Sequence, residues 1–451
     1  MGDGPPRAAT ATMHGATATQ NQRDPVIIVG AGMAGLVCAV MLDQAGVAVR
    51  LFDASDRVGG RIRTDIDANG FLLDRGFQVI LDAYPAGRRW LDLDALDGQA
   101  FDAGGQVWTG RRLVPLADPL RHPTALPRDL TSSLFPARDK LRLAALATRV
   151  RLAKWEAAAD AAGSGADDTS AVDALRIVGF GDRFIQRFAR PFWGGILLDP
   201  ALNVSAGPLR FTLKMFLEGR AVLPAAGVRA VPEQLARRLP VDCVHCLQPV
   251  EAIVVRDGTA TGVRLHGETV DASAVVVAAD PPQARRLTGI ETLPRSDEGV
   301  GSVTVYLTGA RDPGVGKRLI VDATGHLLVN HVAPLSVVAP SYAPSRQHLL
   351  AAVVIGRGQE SDDDTIAQHA SRDVATMLGH DPTDWSVIAV SRIPFSQYAQ
   401  PPGIYQRLPS ALTTVSGLFL AGEATVDSST NGAMLSGEVA ARAVMSHRRR
   451  Y

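Results

Sequence analysis

The pattern of hydrophobic and polar positions near the start of the chain predicts a β-α-β unit. Val26 to Val29 form a short apolar run, residues 33 to 45 carry apolar positions at helical spacing, and residues 47 to 52 form a second apolar run. A strand, a helix and a strand in this order are typical of the nucleotide-binding unit of a parallel sheet. The sequence therefore predicts an α/β fold that begins with a Rossmann-like domain.

Further along, changes of pattern divide the chain into two interleaved domains. Strand signals are sparse between residues 86 and 225, where a helical pattern over residues 138 to 160 indicates a helical insertion. Strand patterns return over residues 248 to 279, with a turn predicted at Asp257 and Gly258. The predicted divisions are 1–23 for a disordered tail, 24–85, 226–298 and 402–451 for the Rossmann-like domain, and 86–225 and 299–401 for a mixed α+β substrate domain.

Composition and charge exclude several classes of protein. The 46 basic side chains balance 46 acidic ones among 451 residues, so no net field attracts nucleic acid. No apolar run approaches the ~20 residues of a membrane-spanning helix. The three cysteines indicate a reducing, cytoplasmic location. Peripheral membrane contact stays open, although the stripe of Leu143, Leu146, Ala147 and Val150 predicts core packing.

A glycine-rich motif follows the first predicted strand. Gly30, Gly32 and Gly35 have G-x-G-x-x-G spacing at the mouth of the first helix. This arrangement gives a tight turn, close approach of the backbone to a pyrophosphate, and helix–strand packing. Asp53 ends the second strand, where a carboxylate accepts hydrogen bonds from a ribose 2′-OH and repels a 2′-phosphate. These features favour FAD or NAD over NADP.

A second glycine pair, within DASDRVGGRIRT, follows Asp53 directly. Gly59 and Gly60 let the backbone approach a ligand closely, and Arg57 and Arg61 supply positive charge beside it. Together with the first motif, this segment resembles the FAD-binding start of the superfamily of flavin-containing amine oxidases, phytoene desaturases and protoporphyrinogen oxidases. The resemblance implies an FAD-dependent oxidoreductase, with phytoene-desaturase-like proteins as the nearest branch.

The segment GLFLAGEATVDSSTNGAMLSGEVAARAV resembles the closing flavin-binding segment of the same superfamily. The resemblance implies that Glu423, after Gly422, bonds the ribityl or ribose-phosphate part of FAD. It also implies that a helix opening with Asn431, Gly432 and Ala433 packs against the cofactor, and that the backbone of Val250 meets the adenine. No cysteine lies close before this helix, so FAD is expected to bind non-covalently.

The stretch RFARPFWGGILLDPALNVSA resembles a segment of protoporphyrinogen-oxidase-like and phytoene-desaturase-like proteins. Phe192 and Trp193 within it are candidates to line an apolar substrate cavity, with ordinary core packing as the alternative. Cys243 and Cys246 form one C-x-x-C pair without a second pair, and we expect no metal site.

Two departures weaken the reading as an amine oxidase. Residues 300 to 308 contain no lysine where amine oxidases of this superfamily place one, and Ser428 and Ser429 stand where their closing loop carries an aromatic residue. The sequence therefore predicts dehydrogenation, as desaturation, of a largely apolar small molecule by hydride transfer to flavin. The alternatives are a flavin-dependent amine oxidase and a catalytically silent FAD-binding scaffold. No catalytic acid or base, and no oligomeric state, is identifiable from the sequence.

Overall fold

The computed structural model describes residues 24–117, 134–163 and 168–450. The predicted tail over residues 1–23 lies outside the described residues. Twenty strands are present in the described part: β1 (Val26–Val29), β2 (Val49–Phe52), β3 (Thr64–Ile66), β4 (Leu72–Asp74), β5 (Ile80–Leu81), β6 (Gly98–Ala100), β7 (Gly104–Trp108), β8 (Leu113–Ala117), β9 (Ala221–Pro224), β10 (Val244–His245), β11 (Ala252–Arg256), β12 (Thr259–Leu265), β13 (Glu268–Asp271), β14 (Ala274–Val277), β15 (Gly299–Gly309), β16 (Leu319–Asp322), β17 (His331–Ala333), β18 (His348–Val354), β19 (Ser386–Tyr398) and β20 (Leu418–Leu420).

The α-helices of the described part, in chain order, are α1 (Met33–Gln44), α2 (Pro85–Trp90), α3 (Ala137–Leu152), α4 (Ala158–Ala162), α5 (Ala171–Val178), α6 (Asp182–Phe184), α7 (Arg190–Leu197), α8 (Ala206–Glu218), α9 (Ala230–Ala236), α10 (Pro281–Thr288), α11 (Leu335–Val338), α12 (Asp363–Leu378) and α13 (Thr430–Arg448). A π-helical turn, Ile185–Ala189, joins α6 to α7. Single 3₁₀ turns occur at Ser296–Glu298, Pro340–Tyr342, Pro382–Asp384, Ile404–Gln406 and Glu423–Thr425.

The first domain is built on a five-stranded parallel sheet in the order β10-β2-β1-β14-β20. All four residues of β1 and of β14 are buried, as expected for central strands of a parallel sheet that is covered on both faces. Helix α13 packs against α1 over this sheet. The predicted Rossmann-like β-α-β unit is confirmed, and so is the strand–turn–strand at Asp257 and Gly258, which joins β11 to β12.

The second domain contains a seven-stranded sheet in the order β19-β15-β18-β17-β16-β7-β8. A helical layer packs against it, and its core includes Phe184, Trp193, Leu209 and Val321. The range of residues 86–225, where strand signals are sparse, contains four strands in its described part, β6, β7, β8 and β9, and all of them lie at its two ends. Local sequence patterns predict such short strands poorly, because a short strand gains its stability from distant partners. Strand β7, for example, pairs in parallel with β16, some two hundred positions away.

The helical pattern over residues 138 to 160 forms two helices rather than one. Helix α3 ends at Leu152 because Ala153 adopts an extended backbone, with ψ at 145°. The chain then turns so that Trp155 packs on the core before α4 begins. The predicted core stripe is confirmed, since Val150 is 1 % exposed and Leu143 and Leu146 pack against the same apolar cluster.

A buried carboxyl group, Asp74, connects the β3–β4 hairpin to strand β15 and to the turn that contains Tyr342. Its Oδ1 accepts hydrogen bonds from the Thr64 hydroxyl at 2.6 Å and from the Val228 N–H at 3.1 Å. Its Oδ2 accepts from the Tyr342 hydroxyl at 2.8 Å, and its backbone carbonyl accepts from the Tyr306 hydroxyl. Burial raises the pKa of Asp74 to about 6, although its hydrogen bonds act in the opposite direction. Ionisation of the Asp74 carboxyl group therefore costs free energy in the folded protein.

We expect Asp74→Asn to change how stability depends on pH. The pKa of Asp74 is higher in the folded protein than the unfolded value of 3.8. Its contribution to the stability of the wild type is therefore fully present below pH 4 and is lost as the pH rises through 6. The stability of the wild type relative to Asp74→Asn should rise by about 3 kcal/mol between pH 7 and pH 4. Urea denaturation of both proteins at the two pH values measures this, and a pH-independent difference would contradict it.

Candidate cofactor and active site

The first glycine turn connects β1 to α1 and leaves an open space at the helix N-terminus. Gly30 has φ at +112°, and a Cβ atom there would lie 2.6 Å from the Ala278 carbonyl oxygen. A Cβ on Gly35 would lie 1.9 Å from the Gly30 carbonyl oxygen. A Cβ on Gly32, by contrast, meets no atom within 4 Å. Gly32 is also the N-cap of α1, so backbone N–H groups point into this space and favour an anion.

The second glycine turn faces the first. Gly59 and Gly60 both have positive φ, and the Gly59 N–H donates to the Ala31 carbonyl at 2.8 Å. A Cβ on Gly60 would lie 3.5 Å from the Cα atom of Gly32. Two turns without side chains therefore approach each other at the edge of the parallel sheet. Such a cradle fits the pyrophosphate of FAD, which needs close backbone approach rather than side-chain packing.

Asp53 lies at the end of β2, as predicted, and its carboxylate is fixed by the backbone. Its Oδ2 accepts a hydrogen bond from the Ala31 N–H at 2.6 Å, and its Oδ1 accepts from the Ser55 N–H at 2.7 Å. Each carboxylate oxygen has a further acceptor site, so these bonds leave room for ribose hydroxyl groups. The carboxylate is therefore oriented beside the first glycine turn.

The two arginines of the second motif have different surroundings. The Arg57 guanidinium donates to the Asp65 carboxylate at 3.0 Å and to the Thr64 carbonyl, so it is held at the β3–β4 hairpin. Arg61 donates to the Ser396 carbonyl at 2.7 Å and lies 2.6 Å from the Glu423 carboxylate. Arg61 thus joins the second glycine turn to both the closing segment and the substrate domain.

Glu423 is buried and has protein partners at both carboxylate oxygens. One oxygen lies beside Arg61, and the other accepts from the Ser428 hydroxyl. Gly422, with φ at +127°, donates its N–H to the Ser436 hydroxyl at 2.8 Å. A direct bond from Glu423 to FAD stays a prediction; in this structure the carboxylate orients Arg61.

Helix α13 begins one residue before Asn431, and its first turn is tied to the rest of the protein. The Asn431 side chain is fully buried, accepts from the Ala86 N–H at 3.0 Å and donates to the Glu156 carbonyl at 2.7 Å. A Cβ on Gly432 would lie 2.4 Å from the carbonyl oxygen of Asp427, and Ala433 packs at the edge of the apolar core. The helix is thus fixed in position by packing that leaves no room at Gly432.

Sequence reasoning missed Asp427, a fully buried carboxyl group in the closing segment. Its Oδ2 accepts from the Ala158 N–H at 2.7 Å, and its Oδ1 accepts from the Ser429 hydroxyl. Burial raises its pKa to about 6, and the nearby Glu423 charge acts in the same direction. The only local signal is the D-S-S sequence before a helix, which is typical of a capping turn.

The remaining candidates lie farther from the glycine turns along the chain. Val250 is 5 % exposed, just before β11, and its carbonyl accepts from Arg286 at 3.4 Å. Trp193 is 1 % exposed within the helical layer, and Phe192 stands edge-on to it at 5.3 Å between ring centroids. The indole N–H of Trp193 has no hydrogen-bond partner among the described residues. Their contacts to adenine and substrate stay predictions.

Within the described ranges, no group of His, Cys, Asp and Glu side chains has the arrangement of a metal site. Cys243 and Cys246 are free thiols, and burial raises the pKa of Cys243 to about 11. None of the described helices is long and apolar enough to cross a bilayer.

A parallel sheet with two facing glycine turns and an acid at the second strand end defines a dinucleotide-binding α/β protein. The family model described as flavin containing amine oxidoreductase matches residues 33–445, so the chain belongs to this family. Membership confirms the predicted oxidoreductase class and the FAD cofactor.

Several known proteins are similar to parts of the chain. Protoporphyrinogen oxidase 2 of Arabidopsis thaliana is 32 % identical over 119 residues, which is 26 % of this chain and 23 % of that protein. An L-amino-acid oxidase of Crotalus adamanteus is 57 % identical over 51 residues, covering 11 % of this chain and 10 % of that protein. The chain thus matches less than a quarter of the length of these curated relatives.

Solved structures agree over nearly the whole length. A putative protoporphyrinogen oxidase from Exiguobacterium sp. 255-15 has a TM-score of 0.69 at 18 % identity, covering 95 % of this chain and 99 % of that one. Putrescine oxidase bound to putrescine has a TM-score of 0.67 at 18 % identity, covering 94 % and 99 %. These likenesses establish the fold.

Gly32→Val should abolish FAD binding while the apoprotein stays folded. The valine side chain would occupy the open space of the cradle, where its Cβ meets no atom within 4 Å. Gly35→Ala is the matched comparison, because its Cβ would collide with the Gly30 carbonyl and destabilise the fold itself. Flavin absorbance per protein and thermal unfolding of the apoprotein distinguish the two variants. Stoichiometric FAD in Gly32→Val would place the pyrophosphate elsewhere.

Purified protein should release its flavin on denaturation with acid or heat. We expect this because the cradle consists of backbone and hydrogen-bonding groups, and the buried Cys38 and Cys243 thiols have raised pKa values that disfavour a reactive thiolate. Precipitation followed by absorbance of the supernatant measures the released flavin. Flavin that stays with the denatured polypeptide would show a covalent bond.

Proposed function

We propose that this protein is an FAD-dependent dehydrogenase that desaturates a largely apolar small molecule. The two glycine turns would hold the pyrophosphate, and Asp53 would bind the adenosine ribose. Arg61 would keep the closing segment, through Glu423, and the substrate domain, through Ser396, in fixed positions around the cofactor. When bound, FAD supplies the acceptor for a hydride from the substrate, and the protein supplies orientation and a dry environment.

The observation that carries this proposal is the chemistry of β15, a central strand of the substrate-domain sheet. Ser302, Thr304 and Tyr306 alternate along the side of β15 that faces the first domain, where the Ser302 hydroxyl lies 3.2 Å from that of Ser396. Thr304 is fully buried, and its hydroxyl has no partner in the described part of the chain. This side of β15 therefore carries only uncharged groups, which suits a neutral substrate.

The neighbouring strands continue this uncharged surface. Val353 of β18 pairs with Thr304 on one side and with His331 of β17 on the other, so the three side chains point to the same face of the sheet. Burial lowers the pKa of His331 to about 4, so its imidazole is neutral at pH 7. Phe77 packs against this ring with centroids 5.5 Å apart. A neutral and partly aromatic surface favours an apolar molecule over a charged amine.

An aromatic cluster in the helical layer supports the same choice. Phe188 and Phe192 stack with centroids 5.5 Å apart, and Trp193 and Phe216 contact Phe192 at 5.3 and 5.6 Å. We infer that Phe192, the less buried of the predicted pair, lines the substrate cavity, whereas Trp193 supports it from the core.

The free cysteines also support the inferred cytoplasmic location.

Amine oxidation is the second candidate. The family description and the similarity to L-amino-acid oxidase and putrescine oxidase favour it. An amine substrate would need recognition at β15 by residues other than lysine, because residues 299–309 contain none. A catalytically silent scaffold is the third alternative, and it predicts that no substrate reduces the bound flavin.

Anaerobic bleaching of the flavin absorbance separates the three functions. We expect an apolar probe, the polyene phytoene, to reduce the FAD, whereas putrescine and L-leucine leave it oxidised. Chemical reduction with dithionite is the control that the bound flavin is redox-competent. Reduction by either amine alone would establish the amine oxidase, and reduction by dithionite but by no substrate would favour the scaffold.

A further inference from the structure

Helix α3 has an exposed apolar stripe opposite the face that packs on the core. Leu141 is 71 % exposed and Leu152 is 78 % exposed. Eleven residues separate them, which is close to three helical turns, so both point to the same side of the helix. Ala145 and Thr148 lie between them on this side and are exposed as well. Apolar side chains that share one exposed side of a helix are typical of an interaction surface.

Basic residues flank this stripe on both sides. Arg138 and Arg149 lie on one flank and Arg151 on the other, and all three are exposed. The acidic residue of α3, Asp139, is fully buried on the inner face. The chain as a whole has 46 basic and 46 acidic residues, so this helix concentrates positive charge on an otherwise balanced protein.

Two further exposed apolar side chains lie at the end of α5, next to α3. Ile177 is 75 % exposed and Val178 is 40 % exposed. The following residue, Gly179, lies close to α3, since a Cβ there would be 3.1 Å from the Arg142 guanidinium. We call Leu141, Leu152, Ile177, Arg138, Arg149 and Arg151 the basic apolar face.

We propose that the basic apolar face docks on an anionic lipid bilayer, with α3 lying in the plane of the headgroups. The leucine and isoleucine side chains would enter the boundary of the acyl chains, and the arginines would bind lipid phosphates. This inference does not depend on the proposed reaction.

Other binding partners would match either the charge or the apolar side chains of the basic apolar face, but not both. A second copy of the chain would bring two sets of arginines together and repel itself. A nucleic acid would bind the arginines but leave the apolar stripe in water. An anionic bilayer is complementary to both the charge and the apolar side chains.

Sedimentation of the FAD-loaded full chain with vesicles tests the proposal. We expect binding to phosphatidylcholine vesicles that contain phosphatidylglycerol, weak binding to pure phosphatidylcholine, and weaker binding at high salt. Arg138→Glu, Arg149→Glu and Arg151→Glu together should lower the partition coefficient by at least about a hundredfold, because each basic residue near such a surface contributes roughly a factor of five. Leu141→Glu with Leu152→Glu should also abolish binding.

Matched controls carry the same changes elsewhere on the surface. Arg256→Glu, Arg346→Glu and Arg407→Glu repeat the charge change at exposed arginines, and Val241→Glu with Leu412→Glu repeats the polar change at positions 97 % and 65 % exposed. We expect these controls to bind vesicles more strongly than the variants of the basic apolar face. All variants should keep the wild-type FAD content and unfolding temperature, because the changed side chains are exposed.

Four outcomes would overturn the proposal. The first is wild-type protein that stays in solution with every vesicle composition, and the second is a loss of binding in the controls as large as in the variants of the basic apolar face. Dimerisation without vesicles that Leu141→Glu abolishes would assign the face to a second copy. Binding to duplex DNA without binding to vesicles would assign it to nucleic acid.

Discussion

Backbone contacts at glycine hold together a parallel sheet and its helices, and the strands of this sheet come from three separate parts of the chain. Gly30 lies against the Ala278 carbonyl of the second segment, and Gly437 of the third lies so close to Ala34 that a Cβ would come within 2.4 Å of its carbonyl oxygen. A side chain at either position would separate the layers. A Cβ on Gly32, only two residues after Gly30, would meet no atom within 4 Å. Gly30 and Gly35 therefore serve the packing of the fold, whereas Gly32 between them leaves the space in which the pyrophosphate is expected.

Arg61 connects the second glycine turn to the closing segment through its ion pair with Glu423, and to the seven-stranded sheet through its hydrogen bond to the Ser396 carbonyl. Arg61 is 38 % exposed, whereas Glu423 is 6 % exposed, so water screens the two partners unequally. Loss of Arg61 would leave Glu423 with only the Ser428 hydroxyl, and a buried carboxylate without its cation is strongly destabilising. We therefore expect the ion pair to hold the closing segment in position, which is a larger effect than that of an exposed salt bridge.

The sequence was most informative where the signal is local. The glycine motifs, the acid after β2 and the helical stripe on α3 each depend on spacings of a few residues, and the structure places each as the spacing predicts. Asp74 and Asn431 have roles that depend on distant partners, since Tyr342 is 268 positions from Asp74 and Ala86 is 345 positions from Asn431. The β7–β16 pairing is similarly distant, and residue patterns within one segment do not report such contacts.

The position of Asp427 changes how the N-terminus of α13 can act on a bound flavin. The N-terminus of a helix carries positive potential that can stabilise negative charge on a bound group. In the structure, Asp427 lies against the first turn at Gly432, and the Ser429 side chain caps it by accepting from the Gly432 N–H at 2.9 Å. The potential at the helix end therefore depends on whether Asp427 is protonated, and its pKa of about 6 places that change close to neutral pH. A substitution at Gly432 would mainly disturb packing. A substitution of Asp427 is therefore the change that would alter the electrostatic potential at the N-terminus of this helix.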